Sequence, residues 1–382
     1  MHTMVPMQPS LGGVAARRIV VHAVGDVRLR AEAHHLAFDH VRAALRKSDV
    51  VFGNCESSYG DVATVGHACD RDCPVGTLQR AGFSVMSCAN NRFGDEGPDA
   101  ALSTLNAFVL HDIATCGSGR TPSRAWGAAV LRVKGKRLGF LAFTAVRDQL
   151  GKADIPEIAN VHAQSRYVDV EANQPGTPPL ILTETEPRDL TRVVEAVATA
   201  REVVDHLFVS FHWGIHLIPF VIADYERELA HAVVDAGADG VFGHHQHVLK
   251  PIEWYQGRPI FYGLGNFASF VSPTRRSPHS RDPSEAARRY GEYRSRHYRG
   301  TWNTRPPHLR FTVIARSIVG NDEPTRVELV PCAFDRRNRP VAVPAGSPTG
   351  RRVLDYLREA CDVAGVSTAF SISDRGRYIA VT

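Results

Sequence analysis

Five short polar clusters each follow an apolar run of strand length, and this repetition constrains the fold more than any other feature of the 382-residue chain. The clusters are Gly25-Asp26 after Ile19–Val24, Asn54–Glu56 after Val50–Phe52, Asn90–Arg92 after Phe83–Cys88, Phe211–Gly214 after Leu207–Val209, and Gly243–His247 after Asp239–Phe242. Polar groups at five strand ends can converge only if the strands share a sheet edge. The pattern therefore predicts strands that gather these side chains into one site.

Helix-like and strand-like patterns alternate over the first 270 residues, which predicts a layered α/β fold with strands buried on both faces. The helical patterns are Glu32–Lys47, Gly97–Leu110, Asp189–Val204 and Ala223–Ala236. Val130–Val133 and Arg137–Phe143 are predicted to form a hairpin. Gly151–Glu186 is rich in Pro, Asn and Thr, and we expect it to be a long surface excursion.

These patterns divide the chain into four parts. They are a flexible N terminus (1–17), a main domain with the polar clusters (18–271), an Arg- and aromatic-rich loop or lid (272–307), and C-terminal strands and a helix packed on the main domain (308–382). The third part suits the carboxylate and apolar side chains of a peptide, because arginines alternate there with tyrosines and Trp302. It suits an acidic polymer or a solvated, disordered arm equally well.

The net charge of +5 is concentrated in one segment, because ten arginines and three acidic residues lie between Arg275 and Arg310. General nucleic-acid binding is therefore not expected. The first residues contain no Lys or Arg before Arg17 and no continuous apolar stretch, so a secretory signal is not expected. No apolar run reaches the length of a spanning helix. We expect a cytoplasmic protein without a membrane anchor, and the sequence leaves its oligomeric state open.

The polar clusters supply the donor types of a divalent metal site. Asp26 and Glu56 offer carboxylate oxygens, and Asn91 offers an amide oxygen. His212, His245 and His247 offer imidazole nitrogens, whereas no cysteine accompanies them. A mixed nitrogen and oxygen set suits Mn or Zn among the transition metals, and the carboxylates leave Mg and Ca open. We therefore predict a centre for one or two divalent ions.

The order of the motifs resembles the CapA-type proteins of poly-γ-glutamate capsule synthesis, which belong to the calcineurin-like metallophosphoesterase superfamily. The likeness runs from about Val20 to Phe270, and its longest pieces are Asp235–Lys250 and Gly257–Phe267. The resemblance implies a four-layer αββα sandwich with a metal site at the strand ends. The ligands that it implies are Asp26, Glu56, Asn91, His212, His245 and His247.

Three departures from the superfamily pattern weaken the expectation of ordinary phosphoester hydrolysis. The usual Asp-x-His of the first motif is Asp26-Val27-Arg28 here, so one metal ligand is missing. Arg92 replaces a histidine that helps to protonate the leaving group, and arginine stays charged near neutral pH. His216 stands where the family pattern carries a carboxylate.

The chain also resembles a soluble CapA-like branch, the lasso-peptide epimerases, which invert the Cα of a precursor peptide's C-terminal residue. This hypothesis makes the substrate a precursor peptide. The candidate catalytic residues are Asp26, Asp95, His212, His245 and His247, and the candidate substrate-binding residues are Arg28, Arg92, Trp213 and His216. Two alternatives remain. One is a metal-dependent hydrolase of phosphoester or γ-glutamyl amide bonds, and the other is a capsule biosynthesis protein that binds polymer without turnover.

Overall fold

The computed structural model describes residues 18–29, 34–59, 73–146, 156–171, 173–174, 177, 179–269, 307–320, 324–373 and 375–382. The predicted flexible N terminus (1–17) and residues 272–306 of the predicted loop or lid lie outside the described residues. The division of the chain into four parts therefore stays a prediction.

The strands of the described residues alternate with helices along the first two thirds of the chain. They are β1 (Ile19–Arg28), β2 (Val50–Cys55), β3 (Val85–Ser87), β4 (Ala114–Cys116), β5 (Ser118–Gly119), β6 (Ala129–Val133), β7 (Lys136–Thr144), β8 (Glu157–Ile158), β9 (Ala163–Val168), β10 (Leu180–Thr185), β11 (His206–His212), β12 (Gly240–His244), β13 (Ile252–Tyr255), β14 (Arg258–Phe261), β15 (Asn266–Ser269), β16 (Phe311–Val319), β17 (Arg326–Phe334), β18 (Pro340–Ala342), β19 (Phe370–Ile372) and β20 (Ile379–Val381).

Most helices of the described residues begin with proline, whose fixed φ and missing N–H suit the first helical position. The helices are α1 (Arg42–Leu45), α2 (Pro74–Ala81), α3 (Pro98–Leu110), α4 (Pro122–Ala125), α5 (Pro187–Val203), α6 (Asp224–Asp235) and α7 (Pro348–Val363). Ser347 caps α7 by accepting a hydrogen bond from the Gly350 N–H at 3.1 Å. Such caps replace hydrogen bonds that the first helical turn lacks.

Two sheets form the body of the protein. The larger has the order β19-β20-β17-β16-β1-β2-β3-β4, with β15 paired to β1 and β18 to β17. The smaller has the order β13-β14-β12-β11-β7-β6. The strands that end in polar clusters are parallel to one another within each sheet, since β1 pairs β2, β2 pairs β3 and β11 pairs β12 in parallel.

Three apolar cores separate four layers. Between the sheets, the Phe52 ring lies 5.6 Å from that of Phe140 and 5.5 Å from that of Phe242. Leu78 of α2 and Phe108 of α3 belong to a second core on the outer face of the larger sheet. Residues of α5 and α6 form a third core on the outer face of the smaller sheet. The predicted four-layer αββα sandwich is therefore confirmed.

One local prediction was wrong. Glu32–Lys47 was predicted as one helix, but its described part forms a 3-10 turn at His34–Leu36 and the four-residue α1. The buried residues of this stretch recur every three or four positions, a spacing that successive turns satisfy as well as a helix does. The described part of the predicted surface excursion Gly151–Glu186 forms the antiparallel pair β9–β10, most of whose residues are exposed or partly exposed. The predicted hairpin is confirmed as β6–β7.

Strand β1 changes its neighbour halfway along its length. Its first half, Ile19–Ala23, pairs with β16 in antiparallel fashion, and Asp26–Arg28 pairs with β15 in parallel. The change occurs at Gly25, where an added Cβ would lie 1.9 Å from the Gly265 carbonyl oxygen. The Asp26 N–H donates to that same oxygen at 2.8 Å. Glycine at position 25 thus lets the chain pass close enough to place Asp26 at the strand end.

His22 of β1 gives the fold a pH dependence that can be measured. Burial, and then the charge of Arg316, lower the pKa of this imidazole from 6.5 to about 4. A neutral His22 therefore contributes stability that is present above pH 6.5 and is lost as the pH falls toward 4. We expect His22→Gln to reduce the acid-induced loss between pH 7.5 and 5.0 by up to about 2 kcal/mol. Urea denaturation at both pH values checks this, and identical losses in the two proteins would contradict it.

Candidate metal centre

The predicted donors lie at one edge of two sheets, and not at the edge of one shared sheet as the sequence pattern predicts. Asp26 lies two residues before the end of β1 and Glu56 follows β2, while Asn91 lies in the turn after β3. His212 ends β11, and the residues after β12 carry His245 and His247. Parallel strands bring their carboxyl ends to the same edge, so both sheets contribute side chains to one site.

Asp26 lies at the centre of the site and is fully buried. Its carboxylate accepts from Asn54 Nδ2 at 2.8 Å, and its Oδ2 lies 3.0 Å from Nδ1 of His247. The backbone N–H of His245 donates to Oδ2 at 3.3 Å. Burial alone would raise the pKa of Asp26, but the hydrogen bond with His247 and the nearby imidazoles hold it below its ordinary value. Asp26 is therefore an anion at neutral pH.

Glu56 faces Asp26 across the ring of His247. Nε2 of His247 lies 3.5 Å from Oε1 of Glu56. Burial raises the pKa of Glu56 to about 7, against the lowering effect of His247. One ligand atom from each of Asp26, Glu56 and His247 lies within 4.8 Å of the other two. The two carboxylates and one imidazole therefore form a compact donor set.

His212 belongs to a second group of donors beside the first. Nδ1 of His212 lies 3.2 Å from Nδ2 of Asn54, and Nε2 of His212 lies 3.0 Å from Oδ1 of Asn91. Burial, and then the neighbouring His245, lower the pKa of His212 well below its ordinary value. His212 is therefore neutral, which is the form that binds metals.

Imidazole rings cover the open side of these donors. The His216 ring lies 5.2 Å from that of His245 and 4.9 Å from that of His247. The His212 and His245 rings meet edge to face at 4.8 Å. His245 and His247 have φ values of 91° and 58°, a region that non-glycine residues rarely occupy. Backbone strain of this kind clusters at functional sites, where the surrounding structure holds it in place.

Two arginines share one carboxylate at the rim. Arg92 Nη1 donates to Oδ2 of Asp95 at 3.2 Å, and Arg28 Nη2 lies 3.9 Å from the same oxygen. The side chains of Arg28 and Arg92 are 36% and 34% exposed, so each guanidinium has a solvent-facing part. Both charges also lower the pKa of Glu56, which places them within electrostatic reach of the donor set. The rim therefore presents positive charge toward the site.

Trp213 lies behind the site. Its indole is fully buried, stacks on Phe211 at 4.4 Å and donates from Nε1 to the Tyr262 carbonyl at 2.9 Å. These contacts leave no face for a substrate. We therefore interpret Trp213 as a residue that positions His212, and not as the substrate-binding residue that the sequence predicted.

Sequence reasoning missed three buried residues that hold the donors. Asn54 bridges Asp26 and His212, and Asn90 Nδ2 donates to Oδ1 of Asn54 at 3.1 Å. His244 is fully buried with Nδ1 3.6 Å from Oδ1 of Asp26. Burial lowers the pKa of His244 to about 4, although the charge of Asp26 opposes this. All three belong to the polar clusters that follow the strands. Their location in those clusters is the sequence signal that could have indicated a role in the site.

The residues present fit a divalent cation. Asp26 and Glu56 are buried beside each other, and within the described ranges no lysine or arginine forms an ion pair with either. Two buried carboxylates without a cationic partner are costly, and a bound cation would remove that cost. The donors are oxygen and imidazole nitrogen, which suits Mn²⁺ or Zn²⁺ and admits Mg²⁺ or Ca²⁺.

The family described as bacterial capsule synthesis protein PGA_cap matches residues 19–270. The chain belongs to this family. The matched stretch contains every predicted ligand, from Asp26 to His247. The predicted CapA-type membership within the calcineurin-like superfamily is therefore confirmed.

Relatives of this capsule synthesis family cover part of the chain. The PGA biosynthesis protein CapA of Bacillus subtilis (strain 168) is 31% identical over 237 residues, covering 60% of this chain and 56% of that protein. The capsule biosynthesis protein CapA of Bacillus anthracis is 27% identical over 273 residues, covering 65% of this chain and 59% of that protein. This chain therefore spans less than two thirds of the length of either relative.

Among solved structures, a hypothetical protein from Thermus thermophilus aligns with a TM-score of 0.40 and 18% identity, covering 85% of this chain and 96% of that chain.

In the part of this capsule-family chain that the structure describes, no helix combines the length and the apolar character needed to cross a bilayer.

Proposed function

We propose that this protein is a metal-dependent epimerase that inverts the Cα of a peptide's C-terminal residue. The observation that carries the proposal is the pair of half-exposed arginines beside the buried donors. Arg28 and Arg92 can bind a terminal carboxylate through paired N–H groups. Neither can protonate a leaving group near neutral pH, which a hydrolase of this superfamily type would need. The site therefore suits a reaction that needs carboxylate binding and proton transfer but no leaving group.

The chemistry of Cα inversion explains the remaining parts of the site. Removing the Cα proton builds negative charge on the carboxyl oxygens of the substrate. A divalent cation bound by Asp26, Glu56, His247 and the His212 group would supply Lewis-acid stabilisation of that charge. The guanidiniums of Arg28 and Arg92 can hold the carboxylate beside Asp95.

Inversion also requires one group to accept the Cα proton and a second group to return a proton to the opposite face. Among the predicted catalytic residues, Asp26 and His212 are fully buried, and both nitrogens of His247 face carboxylates. His245 and Asp95 are partly exposed and so can reach a substrate. We assign His245 as one proton carrier and Asp95 as the other. A positioned pair of this kind contributes on the order of 10²–10⁴-fold to the rate.

The test uses synthetic peptides with a free C-terminal carboxylate and the same peptides with a C-terminal amide. The Mn²⁺-loaded protein is incubated with each in D₂O, and mass, Cα configuration and cleavage are followed. We expect deuterium at the terminal Cα together with inversion for the free acid, and neither for the amide. Cleavage without deuterium uptake would contradict the epimerase and favour the hydrolase.

The arginine pair gives a sharper version of this test. Arg92→Lys keeps the charge but removes the planar fork, so we expect KM to rise about tenfold while kcat changes little. Arg132→Lys, at an exposed position of β6, serves as the matched control and should change neither value. An unchanged KM in Arg92→Lys would remove Arg92 from the carboxylate-binding role.

A second candidate is a role in capsule polymer synthesis, and the family match over residues 19–270 favours it. In that case the substrate or ligand would be a polyglutamate chain, whose terminal carboxylate the same arginines could bind. Incubation with poly-γ-glutamate distinguishes the forms of this role. Shortening of the polymer would indicate γ-glutamyl hydrolysis, and tight binding with no change in length would indicate a polymer-binding protein.

A further inference from the structure

A buried polar cluster lies directly behind the imidazoles, and the proposed reaction does not use it. It consists of Glu226 on α6, and Gln246 and Lys250 in the segment after β12. Glu226 and Gln246 are fully buried, and Lys250 is 1% exposed. Burial of a carboxylate and an ammonium group costs several kcal/mol per ion unless each is well bonded. The contacts of this Glu226–Gln246–Lys250 cluster show what the three side chains hold together.

Gln246 occupies the middle of the cluster, between the two histidines His245 and His247. Its Nε2 donates to Oε1 of Glu226 at 3.1 Å and to the Tyr262 carbonyl at 2.9 Å. Its own backbone oxygen accepts from the Leu217 N–H at 2.9 Å. Gln246 therefore ties the backbone between the two histidines to α6, to the residue after β14 and to the residue after His216.

Lys250 and Glu226 hold the loop that carries His216. Lys250 Nζ donates to the carbonyls of Ile218 and Val221 at 2.5 and 2.6 Å. Oε2 of Glu226 accepts from the Ala223 N–H at 2.7 Å. The loop from residue 214 to residue 223 is thus anchored at three backbone positions by two buried side chains.

The packing around the cluster leaves little room for other arrangements. An added Cβ at Gly214 would lie 2.4 Å from Oε1 of Glu226 and 2.6 Å from Nε2 of Gln246. Gly214 has a φ of +84°, which also favours glycine. An added Cβ at Gly263 would lie 2.7 Å from Oε1 of Gln246. The cluster is therefore enclosed by backbone that approaches closely on two sides.

The charges of the cluster balance each other against burial. Burial lowers the pKa of Lys250 to about 8, and the charge of Glu226 opposes this. Burial raises the pKa of Glu226 to about 7, and the Ala223 N–H and Lys250 oppose this. Removing one charge would leave the other buried alone, so a test of the cluster must remove both or neither.

We propose that Glu226, Gln246 and Lys250 are positioning residues that set the distance between His216 and the His245–His247 pair, and thereby tune the metal centre. The inference rests on the proposed metal centre and extends it. Residues that orient ligands from behind typically change metal affinity 10- to 100-fold when they are replaced. The strained φ values of His245 and His247 need such support, because nothing in their own conformation favours them.

The test compares two cluster variants with a matched control. Gln246→Leu removes the central amide without creating an unpaired charge of its own, and Glu226→Gln/Lys250→Met removes both charges together. The control, Arg316→Met/Glu328→Gln, removes a largely buried ion pair between β16 and β17. Mn²⁺ affinity is measured by calorimetry, coordination by the absorption spectrum of the Co²⁺-loaded protein, and stability by thermal unfolding.

We expect both cluster variants to bind Mn²⁺ at least tenfold more weakly and to change the Co²⁺ spectrum, while the control retains the wild-type affinity within twofold. Cluster variants that lose no more stability than the control and retain wild-type Mn²⁺ affinity and spectrum would overturn the inference. If the cluster variants do not fold, Gln246→Met in the wild-type background provides the same comparison, because it retains the approximate size of the side chain and adds no charge. Wild-type protein that binds no Mn²⁺ would overturn the metal centre itself, and this inference with it.

Discussion

Replacing Asp26 with alanine will lower turnover on the order of 10³-fold and weaken Mn²⁺ binding by at least about 100-fold. The carboxylate accepts hydrogen bonds from Asn54 and from the His245 backbone, and it contacts His247. Its loss removes a proposed metal ligand and leaves those donors without their shared acceptor. Calorimetry with Mn²⁺ and the D₂O exchange assay measure the two effects separately.

Asp49 provides the matched control for that substitution. It lies just before β2, at the other end of the same strands, where its carboxylate accepts from the Val20 N–H at 2.9 Å and from Lys134 at 2.8 Å. Asp49→Ala should cost about 1 kcal/mol of stability and leave Mn²⁺ affinity unchanged. Equal Mn²⁺ affinity in wild type and Asp26→Ala would contradict the assignment of Asp26 as a ligand.

A methyl group at Gly243 should cost more than about 3 kcal/mol of folding free energy, because a close approach of backbone leaves no room for it. The added Cβ would lie 2.0 Å from the Tyr262 carbonyl oxygen and 2.7 Å from Nε1 of Trp213. The Trp213 Nε1–H donates a hydrogen bond to this Tyr262 oxygen, so the two groups cannot both move aside without breaking it. Gly243→Ala should therefore displace β12 and the histidines that follow it.

Gly257→Ala is the control that separates this steric effect on folding free energy from the general cost of replacing a glycine. Gly257 has a φ of +72° and nothing within 4 Å of its added Cβ. Gly257→Ala should therefore cost about 1 kcal/mol through backbone strain alone. Urea denaturation of both variants measures the difference. A loss in Gly243→Ala no larger than that in Gly257→Ala would show that the backbone there relaxes easily.

The sequence could predict which residues of the site lie at the ends of strands. Asp26, Glu56 and His247 each belong to a polar cluster that follows an apolar run, and parallel strands bring such clusters to one edge. The order of the strands in the sheets could not be predicted, because pairing between β1 and β16 joins residues nearly 300 positions apart. Local periodicity carries no information about such contacts.

The residues that sequence reasoning missed or misplaced act through contacts rather than through their type. Trp213 follows His212 directly, yet its side chain points into the core, and only the structure shows this. Glu226 occupies an amphipathic helix, where a carboxylate ordinarily faces water. Its partner Gln246 lies 20 residues away, between two histidines, and no sequence pattern links the two positions. Buried polar contacts of this kind leave no periodic signal.

The divided pairing of β1 has a consequence for the order in which the chain can mature during synthesis. All the proposed metal ligands have been translated once His247 is complete. The first half of β1, however, gains its antiparallel neighbour only after Phe311–Val319 has left the ribosome. Until then, one edge of the strand that ends in Asp26 stays open, and an open edge is prone to pair with other chains. A nascent chain thus holds its metal donors well before it holds the sheet that fixes them.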